Sequence, residues 1–110
     1  MKYKRFRIKA KLQFYTTEQG GKKKPIHPHY SPVFHFIENM GTSGMLLFEN
    51  REEVHPGEEL ETDILFATDE YLGEDLRAGK TFTFSEGREK FGEGIVTEVC
   101  GYENIVRNHE

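Results

Sequence analysis

The sequence predicts an all-β fold, either a barrel or a sandwich. Apolar and polar residues alternate in several short segments, turn signals separate these segments at intervals of about eight to twelve residues, and no helical period is sustained. The chain of 110 residues is long enough to bury one core. We therefore expect a single domain over residues 1–110, with its core from about residue 6 to residue 101.

The first predicted strand begins at Phe6 and ends at Phe14. Its apolar residues are Phe6, Ile8, Ala10, Leu12 and Phe14, and the polar residues between them are Arg5, Arg7, Lys9, Lys11 and Gln13. A period of two is typical of a strand with one buried face, because successive side chains point to opposite sides. The exposed face of this strand is therefore a basic stripe, formed by Arg5, Arg7, Lys9 and Lys11.

Five further segments are predicted as strands, at 33–37, 45–49, 61–68, 80–87 and 92–101. They are rich in β-branched and aromatic residues, and turn residues such as Pro56-Gly57 separate them. Residues 69–79 are a polar connection with room for one turn of helix. Cys100 falls on the last strand, where a buried thiol is usual, and residues 102–110 are expected to fray.

Charge is unevenly distributed along the chain. The formal net charge is −4 and the isoelectric point is about 5.8. Residues 1–25 contain nine of the 15 Lys and Arg residues but only one of the 19 acids, Glu18, which leaves six cations and 18 acids in the remainder. The acidic average argues against general nucleic-acid binding, whereas the basic end could meet a polyanion.

The sequence carries no sign of export or of a membrane span. Cys100 is the single cysteine and cannot form an internal disulfide. The first residues lack the apolar stretch of a signal peptide, and no apolar run approaches the roughly 20 residues of a spanning helix. A cytoplasmic location without membrane association is the expectation.

Three features invite an enzymatic or metal-binding interpretation, and each is incomplete. Residues 73–81 read GEDLRAGKT, but a phosphate-binding loop has four residues between its glycines and this segment has five. His27, His29 and His35 lack the further ligands of a zinc site, and the serines lack a nucleophile-elbow sequence. We therefore predict no enzyme activity, no metal, no cofactor and no nucleotide.

A second basic feature follows the first strand. Lys22, Lys23 and Lys24 come directly after Gly20-Gly21, which give the backbone freedom to turn. Three ammonium groups on such a loop, beside the basic stripe, could track a phosphate backbone. The alternative is a solvated loop without a ligand, and the residues alone leave both interpretations open.

Residues 18–36, EQGGKKKPIHPHYSPVFHF, resemble a segment of the C-terminal β-barrel domain of elongation factor Tu. That segment runs Glu-Gly-Gly-Arg-His-Thr-Pro and continues through Gly-Tyr-Arg-Pro into Phe-Tyr-Phe. The matching residues here are Gly20, Gly21, Pro25, Tyr30, Pro32, Phe34 and Phe36. HPGEEL at 55–60 resembles the Pro-Gly-Asp turn of the domain, and Glu86, Gly87, Gly92, Gly94 and Val96 match its closing strand. The similarity extends from about Ile8 to Gly101.

The resemblance implies a six-stranded antiparallel closed β-barrel, in a family whose barrel contacts the T-stem side of aminoacyl-tRNA. Lys22 and Lys23 occupy the Arg-His positions that face tRNA in that family. Glu61 stands where the family has a lysine, and Arg88 and Glu89 replace a glycine and an arginine. The GTPase domain of the family has no counterpart within these residues.

We therefore predict a non-catalytic binding module related to translation elongation factors. Its predicted RNA-binding residues are Lys9, Lys11, Lys22, Lys23 and Lys24. Its expected partner is tRNA, another RNA or a component of the translation apparatus. A second hypothesis is a protein-interaction module that binds another protein or a second copy of itself and has no role with RNA.

Overall fold

The computed structural model describes residues 2–106, with the side chains of residues 3–105. Its strands are β1 (Lys2–Phe14), β2 (Val33–Ile37), β3 (Met40–Leu47), β4 (Glu59–Phe66), β5 (Thr81–Glu86) and β6 (Glu89–Val106). All regular elements in this part of the chain are strands. The same residues include no apolar helix of the length that a membrane crossing requires.

The strands close into a barrel in the order β1-β4-β3-β2-β5-β6, and β6 returns to pair with β1. Every neighbouring pair is antiparallel. The predicted six-stranded antiparallel closed barrel is therefore confirmed. Closure pairs the backbone groups that would otherwise lie along two edges of an open sheet.

Apolar side chains from all six strands fill the barrel. Phe34 is fully buried, and its ring centroid lies 5.5 Å from that of Phe66 and 5.7 Å from those of Phe82 and Phe84. Edge-on and tilted aromatic pairs of this kind add about 0.5–1.5 kcal/mol each to the energy of burial. β1 buries the five apolar residues that its alternation indicates, which confirms that strand's inward face.

The predicted start of the third strand is wrong. β3 begins at Met40 and not at residue 45, because Glu38 and Asn39 form a tight turn that places Met40 opposite Ile37. Asn39 has a φ of 63°, a conformation that asparagine adopts more readily than most residues. The connection at 69–79 contains turns and no helix.

The predicted fraying of the C-terminal segment is also wrong as far as residue 106. Residues 102–106 continue β6 and pair with the first residues of β1, so β1 begins at Lys2 and not at Phe6. A strand end that is tied to a partner does not fray like a free terminus. Residues 107–110 lie outside the described residues.

Two bulges interrupt the pairing of β6 with β1. The register shifts by one residue at Thr97 and again at Cys100, so each is an extra residue without an opposite partner. The residues that face the inward side chains of β1 are therefore three apart instead of two; Val96 lies opposite Ala10, Val99 opposite Ile8 and Tyr102 opposite Phe6. Cys100 is exposed, contrary to the expected buried thiol, because it belongs to a bulge.

The loops lie at two ends of the barrel. The lower pole carries loops 15–32 and 48–58 and the turn 87–88, and the upper pole carries the turn 38–39 and the connection 67–80. Ile26 and Val54 form a backbone bridge between the two long loops of the lower pole, with two N–H···O distances of 2.9 Å. This bridge gives a fixed frame to loop 15–32, named here the basic loop because it contains Lys22, Lys23 and Lys24.

Candidate functional site

The predicted basic loop borders an open cleft at the lower pole, with a volume of about 360 Å³. The residues lining the cleft are Gly20, Gly21, Lys22, Lys23, Lys24, Glu86, Glu89 and Phe91. Loop 15–32 forms one wall, and the hairpin that joins β5 to β6 forms the other. The topology thus brings together two segments that are more than 60 positions apart in the chain.

The basic loop turns back on itself at the glycine pair. The backbone N–H groups of Gln19 and Gly21 both donate to the carbonyl oxygen of Thr16, at 3.0 and 2.9 Å. Gly20 has a φ of 94°, in the left-handed region that favours glycine. A Cβ at Gly21 would lie 2.7 Å from that same oxygen, so the second position requires glycine as well. The pair therefore fixes where the three lysines leave the barrel wall.

Lys22 anchors the basic loop to the hairpin. Its Nζ donates to Glu86 Oε1 at 2.6 Å and lies 5.3 Å from the ring centroids of Tyr30 and Phe91. The Tyr30 hydroxyl donates to the same carboxylate. The bonds from Lys22 and Tyr30 lower the pKa of Glu86, while burial and the nearby carboxylate raise the pKa of Tyr30. Lys22 thus holds the loop in position.

Lys23 and Lys24 are the uncommitted cations of the cleft. Both are exposed, and within residues 3–105 neither forms an ion pair or a side-chain hydrogen bond. Arg88 is exposed at the hairpin turn and adds a further positive charge beside the cleft. The residues that line the cleft include three lysines and two glutamates, Glu86 and Glu89, so the formal charge of the lining is +1.

Arg7 and Lys9 of the basic stripe on β1 are held in ion pairs. Arg7 donates from Nε to Glu103 Oε1 at 2.8 Å and from Nη1 to Asp63 Oδ2 at 2.6 Å. Lys9 Nζ donates to Asp63 Oδ1 at 3.1 Å. The bond to Glu103 raises the pKa of Arg7, and the bond to Asp63 raises the pKa of Lys9. These cations bridge β1 to its two neighbouring strands.

Lys11 belongs to the same charged ladder. It lies opposite Glu61 on β4, and its Nζ is 3.3 Å from Glu59 Oε1. Glu61 therefore adds to an acidic row beside the basic stripe. The five predicted RNA-binding residues fall into two groups: Lys22, Lys23 and Lys24 line the cleft, whereas Lys9 and Lys11 lie on the barrel wall beside carboxylates.

One contact between a histidine and a serine could not be predicted from the sequence. His27 and His29 are exposed in loop 15–32, but His35 lies on β2, with Nε2 2.8 Å from Ser85 Oγ. Ser85 is only 2% exposed and also donates to Gly87 O at 3.3 Å, so a substrate carbonyl could not reach its oxygen. No three His, Cys, Asp or Glu side chains of the described residues are grouped to hold a metal ion.

Lys80, the lysine of GEDLRAGKT, is a structural side chain. It is 11% exposed, and its Nζ donates to Leu72 O at 3.0 Å and to Asp75 Oδ1. The same Nζ lies 6.0 Å from the ring centroid of Phe36. Lys80 therefore binds protein oxygens of the connection 67–80 and ties that connection to the barrel.

The chemistry of the cleft suits an extended anion. The lysine ammonium groups can each contact a phosphate oxygen, and charge assistance strengthens such hydrogen bonds. No protein-family model matches the chain.

Proposed function

We propose that the chain is a non-catalytic, cytoplasmic binding module that contacts tRNA or another RNA of the translation apparatus at the lower-pole cleft. The proposal includes kinship with the C-terminal barrel of elongation factor Tu. The main support for RNA binding is the exposure of Lys23 and Lys24, which have no charged partner among residues 3–105. They lie in the segment that resembles the tRNA-facing loop of that family.

The cleft residues have different roles in this proposal. Lys23 and Lys24 contact phosphate oxygens, and Arg88 extends the positive surface across the hairpin turn. Lys22 is a positioning residue, because its ammonium already binds Glu86 at 2.6 Å. Contacts to phosphate set affinity and orientation and carry little sequence information, so the module would distinguish RNA by the shape of its backbone.

Lys9 and Lys11 have a secondary role in RNA binding. Each lies beside a carboxylate, Asp63 for Lys9 and Glu59 for Lys11. A phosphate would have to displace or share that partner, so the net gain is smaller than for an unpaired lysine. Their contribution is to weaken the repulsion that the acidic row on β4 would exert on RNA.

The net charge of −4 limits the affinity. Long-range repulsion between the acidic body and the RNA is screened beyond a Debye length of about 10 Å at 0.1 M salt, while the lysine contacts themselves weaken with salt. Binding is therefore expected to be modest and to be strongest at low ionic strength.

The test measures binding of fluorescently labelled tRNA by anisotropy, from about 50 to 200 mM salt. The double variant Lys23→Ala/Lys24→Ala should weaken binding and reduce the slope of log affinity against log salt by about 1.4–1.8, since each phosphate contact contributes about 0.7–0.9. Lys9→Ala/Lys11→Ala is the matched control, because it removes the same charge from the barrel wall. The control should change the slope by less than about half as much.

Circular dichroism establishes that both double variants remain folded. A wild-type protein that fails to bind tRNA at the lowest salt would refute the proposal. Equal losses in the two double variants would show that net charge, and not the cleft, determines binding.

The alternative, a protein-interaction module, is favoured by a separate observation. Val99 and Tyr102 are apolar residues that remain 38% and 49% exposed on β6. They lie away from the cleft, on the half of β6 that leads to the upper pole. A protein contact there is compatible with RNA binding at the lower pole.

A further inference from the structure

β6 is paired on both sides only along its first part. Its pairing with β5 ends at Ile95. The last two backbone hydrogen bonds on that side of β6 join Val96 to Gly79 and Lys80, just before β5, and each is 2.8 Å long. From residue 97 onward, the described chain pairs β6 with β1 alone. Thr97–Tyr102, named here the open edge, therefore presents backbone N–H and C=O groups that no other strand of residues 2–106 occupies.

The inner face of β6 becomes exposed along the open edge. Val96, Val99 and Tyr102 all lie on that face, because the two bulges place them opposite inward-facing residues of β1. Their exposures are 1%, 38% and 49%, and the increase begins where β5 ends. The barrel wall thus has a gap beside β6, with apolar side chains along the gap and backbone groups at its rim.

Two carboxylates without ion pairs lie at the gap. Glu98 belongs to the open edge, where it lies opposite Lys9 on the outer face of the barrel and helps to raise the pKa of that lysine. Asp69 of the upper-pole connection accepts a hydrogen bond from the Tyr102 hydroxyl at 2.8 Å. Both are exposed, and within residues 3–105 neither is in an ion pair. Their charge favours a partner that carries cations.

We propose that the open edge binds an extended, lysine- or arginine-containing peptide segment of another protein, which adds to β6 as a further strand. The added strand continues the line of β5 past its first residue. Its backbone pairs with the open edge, alternate apolar side chains cover Val99 and Tyr102, and its cations meet Glu98 and Asp69. This is peptide recognition by strand addition, in which backbone hydrogen bonds provide affinity and alternate side chains provide specificity.

The charges of the gap favour a peptide over the other two occupants. RNA would bring phosphates against Glu98 and Asp69, which repel them. A second copy of the chain that paired its own open edge about a two-fold axis would bring the same acidic edge to face itself, and like charges across a strand pair are destabilising. Because Thr97 and Cys100 are bulge residues, the open edge covers four ladder positions, or about 13 Å of strand, so a peptide of six to eight residues is sufficient.

The first experiment uses wild-type protein and a labelled peptide of sequence Thr-Val-Lys-Val-Lys-Val-Thr. Binding by anisotropy is expected, together with slower amide hydrogen exchange at Thr97–Tyr102. Two N-methylated forms of the peptide, each modified on one alternate set of residues, keep every side chain. Because only one set of N–H groups faces β6, one form should lose at least about tenfold in affinity and the other should stay within about threefold.

The second experiment compares two variants of β6 with matched exposure. Val99 and Ile95 are both 38% exposed, but Ile95 is on the part of β6 that β5 already pairs. Val99→Asp should weaken peptide binding at least about tenfold, and Ile95→Asp should leave it within about threefold. Circular dichroism and thermal melting of both variants measure any loss of folding.

Three results would overturn the proposal. The two N-methylated peptides could bind equally, which would indicate attraction by charge alone. Val99→Asp and Ile95→Asp could have the same effect. Sedimentation could show that the protein self-associates through the open edge, with Val99→Asp monomeric and no peptide binding, which would identify the second copy as the occupant. Because none of these measurements involves RNA, the proposal stands or falls separately from the cleft.

Discussion

Replacing Lys80 with methionine is expected to destabilise the barrel by about 2 kcal/mol. The Lys80 side chain is 11% exposed, and its Nζ donates to Leu72 O at 3.0 Å. A hydrogen bond from a charged donor contributes about 1.5–3 kcal/mol. Without the ammonium group, the buried carbonyl oxygen of Leu72 would lose its hydrogen-bond partner. Methionine keeps an unbranched apolar stem near Phe36 and removes the ammonium, so the loss reports on that group alone.

The expected shift in melting temperature follows from the size of the chain. The entropy of unfolding is about 2.1 cal/mol/K per residue, which gives about 0.23 kcal/mol/K for 110 residues. A loss of about 2 kcal/mol therefore lowers Tm by about 9 °C in a calorimetric scan near neutral pH. Lys90→Met is the matched control, because Lys90 is an exposed strand lysine, and it should change Tm by less than about 2 °C.

The same pair of variants gives a pH dependence with a definite sign. The hydrogen bond from Lys80 lowers the pKa of Asp75 below its ordinary value of 3.8. A carboxylate with a depressed pKa in the folded state stabilises the fold above its unfolded pKa and loses that contribution as pH falls through the folded pKa. The Tm difference between wild type and Lys80→Met should therefore narrow below about pH 3.8.

Two outcomes would refute the structural role of Lys80. A Lys80→Met protein that melts within about 2 °C of wild type would show that the contact to Leu72 contributes little. Binding of magnesium-ATP or magnesium-GTP by wild type, lost in Lys80→Met, would show that the lysine of GEDLRAGKT serves a nucleotide. Isothermal titration calorimetry on the folded proteins measures that binding.

Three further substitutions test other parts of the structure. Gly94→Ala should cost about 1–3 kcal/mol in urea unfolding, because a Cβ there would lie 2.6 Å from Phe82 Cζ; an unchanged midpoint would contradict the tight packing. Arg7→Met should cost about 1 kcal/mol and speed amide exchange in residues 102–106; unchanged exchange would show that the ion pairs do not secure the end of β6. Tyr30→Phe removes the hydroxyl that donates to Glu86. The absorbance titration of wild type minus that of Tyr30→Phe should give a pKa for Tyr30 above the ordinary phenol value of 10, and a pKa of 10 would contradict the contact.

The fold could be predicted where the pattern is local, and it could not where pairing is long-range. The alternation from Phe6 to Phe14 identifies β1 and its inward face without any knowledge of its neighbours. Residues 40–44 are small or polar apart from Met40 and resemble a loop, yet they form strand because β4 pairs with the end of that segment and β2 with its start. Residues 102–106 become strand because they meet the first residues of β1, about 100 positions earlier.

The site shows the same division. The sequence identifies a basic loop after a glycine pair, and the structure places that loop beside a cleft. The sequence does not reveal which cations already have partners, because Lys9 binds a carboxylate 54 residues away and Lys22 binds one 64 residues away. A signal for the first partner was present in the alternation of Glu59, Glu61 and Asp63, which form a row of acids on the strand that must face a basic neighbour.

Internal pairing explains how an acidic chain presents a small basic surface. The outer face of β4 supplies carboxylates to the basic stripe, so Arg7, Lys9 and Lys11 contribute to strand pairing and little to the external field. The basic loop lies beyond the end of that row, and the carboxylates that line its cleft are Glu86 and Glu89. Because Glu86 is occupied by Lys22, the field of Lys23 and Lys24 is the least compensated positive field of the cleft. At a Debye length of about 8–10 Å that field acts locally, so replacing these two lysines should remove most of the attraction that the cleft exerts on a polyanion.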